Sequence, residues 1–421
     1  MLFEQSNAWW NRAQRVIPLG TQTFSKSPTQ FVQGVSPIYL ERGQGAHVWD
    51  VDGNEFIDYP MALGPVLLGY AEPAVDDAIR EQLQRGITFT LMHPLEVEVA
   101  ERIVAACPGV EAVRFGKSGS DAVTGAVRAA RAATGRDHVL VTGYHGWHDW
   151  FIGTTTRSAG IPDAVQKLTT AIPFNDLEAL KRALSSAPGG VAAVVIEPSG
   201  FEVPAPGYLE GLVEVCQATG AISIFDEVIT GFRLAAGGAR ERYGVEPELS
   251  CYGKALGNGM PISAIGGRWD LMRQFEEIFF SGTHGGETLS LAAARAVLDV
   301  VDGTDVLIEM DQLGGRLQAG LHQLVDDSGI GDRIAIGGEP PRTVVACAGP
   351  DALIDRSFIQ QTFAQNGILF NGSMFISGRH TNADIDRTLD AFEVIVATIA
   401  DKGDVEPLLL GSPVQAVFRT P

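Results

Sequence analysis

The 421-residue chain has few cysteines, little positive charge and no long apolar run. Its four cysteines, Cys107, Cys216, Cys251 and Cys347, stand too far apart for a CxxC metal or redox motif, and four in a chain of this size make no disulfide framework. A reducing, cytoplasmic setting is the expectation. Lys and Arg number 31 against 51 Asp and Glu, a formal net charge of −20, with no basic cluster to offset it. Phosphate backbones and anionic lipid surfaces require such clusters, so neither nucleic acid nor a membrane surface is an expected partner. The longest apolar runs, such as "VAAVVI" at 191–196, fall far short of the ~20 residues of a membrane span. The opening "MLFEQSNAWWNRA" lacks a cationic start followed by an apolar stretch, so a secreted protein is not expected either. Repeats, heptads and low-complexity segments are absent as well.

What is present is an ordinary globular composition, 45% hydrophobic and 19% charged, in a chain long enough for one large domain and a smaller lobe. "HVWDVDGNEFIDY" alternates apolar and polar residues around Asp52-Gly53, a hairpin signal. "EPAVDDAIREQLQRG" spaces Val75, Ile79 and Leu83 four apart between Pro73 and Gly86, which predicts an amphipathic helix. Helical stretches such as "SDAVTGAVRAARAATG" then alternate with short apolar runs, "HVLVTG", "AAVVIEP" and "AISIFDEV". That alternation argues an α/β domain with a largely parallel sheet buried on both faces. The chain from about residue 290 reads as a C-terminal α+β lobe, and residues 150–172 as an extended loop, the kind of segment that serves as a lid in enzymes.

Three places carry candidate chemistry. The run "AISIFDEV" ends in Asp226 and Glu227, and in an open parallel sheet ligands bind beyond the carboxyl ends of strands. Asp226 is therefore placed to meet a cationic partner, or else it caps the following turn while Glu227 faces solvent. Lys254 lies 28 positions later, between Gly253 and a turn containing Gly257, Gly259 and Pro261. Close packing there would desolvate the amine, lower its pKa and free it for Schiff-base chemistry. An Asp with such a Lys suggests pyridoxal 5'-phosphate, whose ring nitrogen needs a carboxylate and whose aldehyde needs an amine. In "GKSGSDAVTGAV", Ser118, Gly119 and Ser120 open a helix, where amides and a hydroxyl could hold its phosphate; a plain N-cap by Ser118 or Ser120 is the other reading.

The stretches "SGSDAVTGAVRAARAATGR", "GYHGWHD", "VVIEP", "FDEVITGFR", "GKALGNGMP" and "SGTHGGETLSLAAARA" resemble, in order and rough spacing, the class III, fold-type I pyridoxal-phosphate aminotransferases, and within them the glutamate-1-semialdehyde aminomutase-like branch. The resemblance runs from "GAHVWDVDGNEFIDY" to "GILFNGSMFISGRHT". It implies a large domain, about 61–300, with a mostly parallel seven-stranded sheet, and a small α+β domain made by segments 1–60 and 301–421. It implies that Lys254 carries the cofactor and shuttles the proton, and that Asp226 pairs with the ring nitrogen. Tyr144 and Val228 would cover the two ring faces, with His145 beside them. Glu197 would lie at the substrate and cofactor rim. Thr283 would reach the phosphate of the other subunit in a homodimer with shared sites. Tyr144 and Trp147 could instead be core aromatics, and His145 with His148 a metal pair lacking a third ligand; no metal is expected.

The departures bear on substrate. In "IPLGTQTFSKSPTQF" the aminomutase pattern places an arginine that grips a substrate carboxylate, and Lys26 or a neighbour stands there instead. A lysine is a point charge without the guanidinium fork. Arg379, in "NGSMFISGRHT", is either a substitute or a solvated loop residue. Amino transfer between an amino donor and an aldehyde or ketone acceptor is the expected activity; "GTQTFSK" and "GGETLSLAA" resemble the members of the branch that pass an amine to an oxo-sugar, and an oxo-sugar and an amino-acid-like acceptor both stand open. An aminomutase of the glutamate-1-semialdehyde type, or a racemase or epimerase on the same scaffold, is the alternative.

Overall fold

The computed structural model describes residue 1 and residues 3–416. The chain forms two compact units, one from residues 1–63, 67–72 and the described chain from Ile308 on, the other from 64–66 and 73–307. In chain order the strands are β1 (Leu40–Gln44), β2 (His47–Asp50), β3 (Glu55–Asp58), β4 (Ala112–Gly116), β5 (His138–Thr142), β6 (Thr169–Ala171) and β7 (Val191–Ile196). There follow β8 (Ile222–Glu227), β9 (Leu249–Tyr252), β10 (Ser263–Gly267), β11 (Ile334–Glu339), β12 (Arg342–Cys347), β13 (Ile368–Leu369) and β14 (Ser373–Phe375). Among the described residues no helix is long and apolar enough to cross a membrane.

The second unit is built on a seven-stranded sheet in the order β4-β10-β9-β8-β7-β5-β6. Neighbours from β9 to β6 run parallel, and β10 is antiparallel to both β4 and β9. β7 is buried at all six positions, as an inner strand covered on both faces must be. One face carries the helix Gly119–Thr134, whose Ala122, Val123, Ala126 and Ala130 pack with Val139, Val195, Ile224 and Cys251. The other is covered by helices Leu177–Ser186 and Tyr208–Thr219 through Leu180, Leu184, Leu209 and Leu212. The segment 150–172, read from sequence as one extended loop, contains short helices Asp149–Ile152 and Asp163–Gln166 and then β6, which adds to the sheet edge beside β5. Three residues of β6 were too few to show a strand period. The helix Pro73–Leu83 forms where the apolar spacing placed it, yet Leu83 is exposed and Gln82 is buried, because the Gln82 side-chain amide donates to the Gly86 carbonyl at 3.0 Å.

The first unit holds a four-stranded sheet, β1-β2-β3-β13, with the expected β2–β3 hairpin, and a three-stranded antiparallel sheet, β11-β12-β14. At the end of β3, Asp58 is buried and accepts a hydrogen bond from the Tyr70 hydroxyl at 2.5 Å. It also accepts from the backbone N–H groups of Met61 and Ala62, which with Leu63 stand at φ 41°, 58° and 76°. Burial pushes the Asp58 carboxyl up to about 6, although these bonds and the nearby Lys26 charge oppose the rise. A raised carboxyl stabilises the fold while protonated, so this contribution is present near pH 4 and lost as pH rises through about 6. Asp58→Asn removes the titration. Its melting temperature relative to wild type should climb between pH 4 and 7, by the equivalent of about 2 kcal/mol. A difference that stays flat across that window rules out the raised carboxyl.

Candidate active site

The parallel strands of the second unit bring their carboxyl ends to one edge. Thr142 pairs with Ile196, Ile196 with Phe225, and Asp226 with Cys251, while Tyr252 and Phe115 both pair with Ala264 of β10. The residues that leave this edge are therefore 117–120, 143–146, 197, 226–228 and 253–254, which include nine of the cofactor-site positions singled out from sequence. An acid at a strand end is thus an acid at the binding edge of the sheet.

Asp226 is buried, and its Oδ2 lies 2.8 Å from Nδ1 of the equally buried His145. His145 Nε2 lies 2.8 Å from the Thr142 carbonyl oxygen, which can only accept, so Nε2 carries a hydrogen. The other ring nitrogen, Nδ1, faces the Asp226 carboxylate, so the two buried side chains are joined by a hydrogen bond. Asp226 Oδ1 accepts from the Val228 N–H at 3.2 Å, so the turn-capping role is real as well. Glu227, which sequence allowed to be solvated, is fully buried. It accepts from Ala239 N–H at 2.6 Å, Arg240 N–H at 3.1 Å and the Thr230 hydroxyl at 2.9 Å, bracing the chain behind Asp226, and burial pushes its carboxyl up.

Lys254 is half-buried and begins the turn Lys254–Gly257 at φ 29°, a left-handed backbone that a side chain adopts at a cost of order 1–3 kcal/mol. Such a cost persists only where surrounding packing imposes it. Val228 supplies part of that packing: a Cβ on Gly253 would stand 3.4 Å from Val228 Cγ1, and a Cβ on Gly119 would stand 2.9 Å from both Val228 methyls. Val228 thus links the Lys254 turn to the start of the helix Gly119–Thr134.

At that helix start Ser118 is the N-cap, its Oγ accepting from Asp121 N–H at 3.1 Å while Asp121 Oδ2 accepts from Ser118 N–H at 2.8 Å. The capping alternative therefore holds for Ser118. Its acceptor role is used, but the hydroxyl proton and the first-turn amides of Gly119 and Ser120, which a helix leaves without intrahelical acceptors, still suit an anion. Ser120 is covered by Gly146, at φ 94°, where a Cβ would meet Ser120 Oγ at 2.2 Å; Trp147 N–H donates to the same oxygen at 3.3 Å. Only glycine allows this approach.

Tyr144 is half-exposed, its ring edge-on to Phe151 at 5.5 Å between centroids, and burial together with the Asp226 charge pushes its phenol up. Its N–H reaches Glu197 Oε2 at 3.5 Å. His148 does not join His145: its Nδ1 is 2.7 Å from the Thr124 hydroxyl, and among the described residues no group of three or more His, Cys, Asp or Glu could hold a metal ion. Thr283 is exposed and lines a cleft of about 440 Å³ with Lys117, Thr124, Arg128 and Phe280. Lys26 and Arg379 belong to the first unit. Lys26 is exposed, and Arg379 is not a merely solvated residue, since its Nε and Nη2 both donate to Glu72 Oε2, at 2.9 and 2.6 Å.

The edge therefore offers a lysine on a strained turn, a buried carboxylate oriented by a histidine, an exposed aromatic face and a helix start with first-turn amides. These fit a flat aromatic cofactor with a cationic ring nitrogen at one end and an anionic group at the other. Sequence reasoning placed His145 beside this group but gave no sign of its bond to Asp226, 81 residues away.

A mostly parallel α/β sheet with this site at its carboxyl edge defines a transferase of the fold-type I transaminase architecture. A family model described as aminotransferase class-III matches residues 31–339, and the chain belongs to that family. It is 36% identical to a glutamate-1-semialdehyde 2,1-aminomutase of Thermomicrobium roseum, over 95% of this chain and 100% of the relative. It is 37% identical to the protein of that name from Chloroflexus aurantiacus, over 96% and 98%. Among solved structures it resembles the FumI protein of Sphingopyxis sp. MTA144, solved in its PLP internal aldimine form, with a TM-score of 0.88 at 29% identity over 96% of this chain and 99% of that one.

Proposed function

We propose that this chain is a pyridoxal 5'-phosphate enzyme that moves an amino group on a small-molecule substrate, and that its activity is an amino shift within one substrate of the glutamate-1-semialdehyde type. The observation that carries the chemistry is the buried Asp226–His145 couple on the same sheet edge as the strained Lys254 turn. Relatives at 36–37% identity over nearly the whole chain are named for the aminomutase, which supports the alternative over the transfer between a donor and an acceptor expected from the motifs.

Bound pyridoxal 5'-phosphate supplies an aldehyde that condenses with amines and a ring that withdraws electrons from the carbon next to nitrogen. Lys254 would hold it at rest and afterwards move a proton through Nζ. Asp226 keeps its negative end toward the ring nitrogen because His145 and the Val228 N–H fix both of its oxygens. Tyr144 and Val228 would hold the ring, and Ser118, Gly119 and Ser120 would bind the phosphate with the helix start. Glu197 borders the substrate side. Lys26 is assigned to the substrate carboxylate, as a point charge in place of a fork. The active form is a homodimer in which Thr283 of each chain serves the other chain's phosphate.

The test is purified holoenzyme given 4-amino-5-oxopentanoate alone. Formation of 5-amino-4-oxopentanoate without any added donor or acceptor is the expected result. A strict requirement for a second amino compound would replace the shift with transfer between two substrates.

A further inference from the structure

A cavity of about 410 Å³ lies where the helix Val306–Ser328, which gives it Glu309 and Arg316, meets the start of the helix Asn382–Lys402, with His380 and Thr381 just ahead of that start. These lining residues all belong to the first unit, and none has a part in the reaction. His380 departs from the ordinary rule of burial. It is 8% exposed, and its Nε2 has no hydrogen-bond partner among the described residues. The tautomer follows from the other ring nitrogen: Nδ1 accepts from the Ser377 N–H at 3.0 Å, and a backbone N–H only donates, so the neutral ring carries its hydrogen on Nε2. Burial pushes this imidazole down to about 4, against the opposing charge of Asp384, which keeps it neutral at neutral pH. The unpartnered atom is therefore a donor. Buried donors are ordinarily paired, and an unpaired one in a cavity wall calls for a ligand that accepts from it.

Two more donors lack acceptors at the same place. The helix Asn382–Lys402 is capped by Thr381, whose Oγ1 accepts from Asp384 N–H at 3.3 Å and whose carbonyl accepts from Ile385 N–H at 3.2 Å. The N–H groups of Asn382 and Ala383 are left without an acceptor among the described residues, at the positive end of a 21-residue helix. Arg316 steadies this start, because its Nη1 donates to Asn382 Oδ1 at 2.9 Å while its Nη2 is paired with Asp386, which neutralises it. Asp384 is committed too, to the Thr381 N–H at 2.8 Å and to His47 Nε2 at 3.1 Å. Glu309 is not: it is exposed and has no hydrogen-bond or ion-pair partner among the described residues. A lone carboxylate opposes a bare anion in this space, and the helix end opposes a bare cation. The pair suits a ligand that carries both charges.

We propose that this cavity binds a small free amino acid, with its carboxylate on His380 and the Asn382 and Ala383 amides and its ammonium on Glu309. Charge-assisted hydrogen bonds at both ends make the two groups together, and neither alone, the recognised feature. The first unit supplies every contact, so the inference stands whatever reaction the cofactor edge performs.

Calorimetry on the holoenzyme tests it, after borohydride reduction so that no added amine reacts at the cofactor. Glycine, 3-aminopropanoate and 4-aminobutanoate are each compared with the carboxylate that lacks the amine and the amine that lacks the carboxylate. At least one amino acid should bind about tenfold more tightly than both of its halves, and the margin should shrink as salt rises. Glu309→Gln, on an exposed side chain, should bring that amino acid down to the level of the plain carboxylate. Asn382→Pro removes one amide donor at the first helical position, where proline is tolerated after the extended Thr381, and should weaken binding severalfold. His380→Phe keeps a ring against Tyr59, now 5.0 Å away between centroids, and should weaken binding likewise by losing the donor. Equal affinity of every amino acid and one of its halves, or a margin that survives these substitutions, overturns the site. Unreduced Glu309→Gln and Asn382→Pro enzymes should turn over as wild type does. A loss of turnover in step with the loss of binding would place the amino acid in the reaction site and overturn the proposal.

Discussion

Lys254→Ala abolishes turnover, with a loss of about 10³-fold or more, because one side chain has both the cofactor attachment and the proton transfer assigned to it. No neighbour replaces it. The turn that presents Lys254 is held at φ 29° by its surroundings, and an alanine at that backbone position leaves the aromatic and anion contacts intact, so the variant should fold and still bind cofactor without a covalent link. Borohydride reduction of the wild type followed by peptide mapping should place the label on Lys254, and a label on another lysine overturns the assignment. The same variant tests the shared site. Mixed under subunit exchange with an inactive Thr283→Asp chain, it should form hybrid dimers with about half of normal activity, since both lesions then fall in one site and spare the other. Confirmed exchange without recovery, or an active monomer in sedimentation, removes the dimer from the proposal.

Asp226→Asn is expected to lose about 10²-fold to 10³-fold in turnover while retaining bound cofactor. The reason lies in the charge. Asp226 accepts from His145 Nδ1 on one oxygen and from the Val228 N–H on the other. An asparagine can keep both contacts, its NH₂ donating to Nδ1 of a neutral imidazole and its oxygen accepting from the Val228 N–H, but it offers no negative charge to a ring nitrogen. Loss of stability with turnover unchanged would mean that Asp226 only braces the turn, because bracing acts on folding and charge acts on the reaction.

Much of this fold was legible before any coordinates. Short apolar runs alternating with helical periods can be satisfied only by strands buried on both faces, and β5, β7 and β8 form where "HVLVTG", "VAAVVI" and "AISIFDEV" stand. β6 was not legible, since three residues show no period and its strand character comes from pairing with β5. Nor was the fate of Glu227. Side by side in sequence, two acids at a strand end are chemically equivalent, but alternation along the strand sends them to opposite faces. One face leads to His145, and the other to the buried amides of Ala239 and Arg240.

The sequence by itself determined the class of fold, the family motifs and the edge at which chemistry would gather, because hydrophobic period, turn residues and strand-end acids are local properties. Only the tertiary structure decided which acid faces the site and which braces it, that His145 is hydrogen-bonded to Asp226, and that Gly146 must lack a side chain to cover Ser120. Those facts depend on strand order, with β7 set between β5 and β8, and on contacts between residues far apart in the chain. Strand order is fixed by packing that the whole sheet must satisfy at once, and no single stretch of sequence contains it.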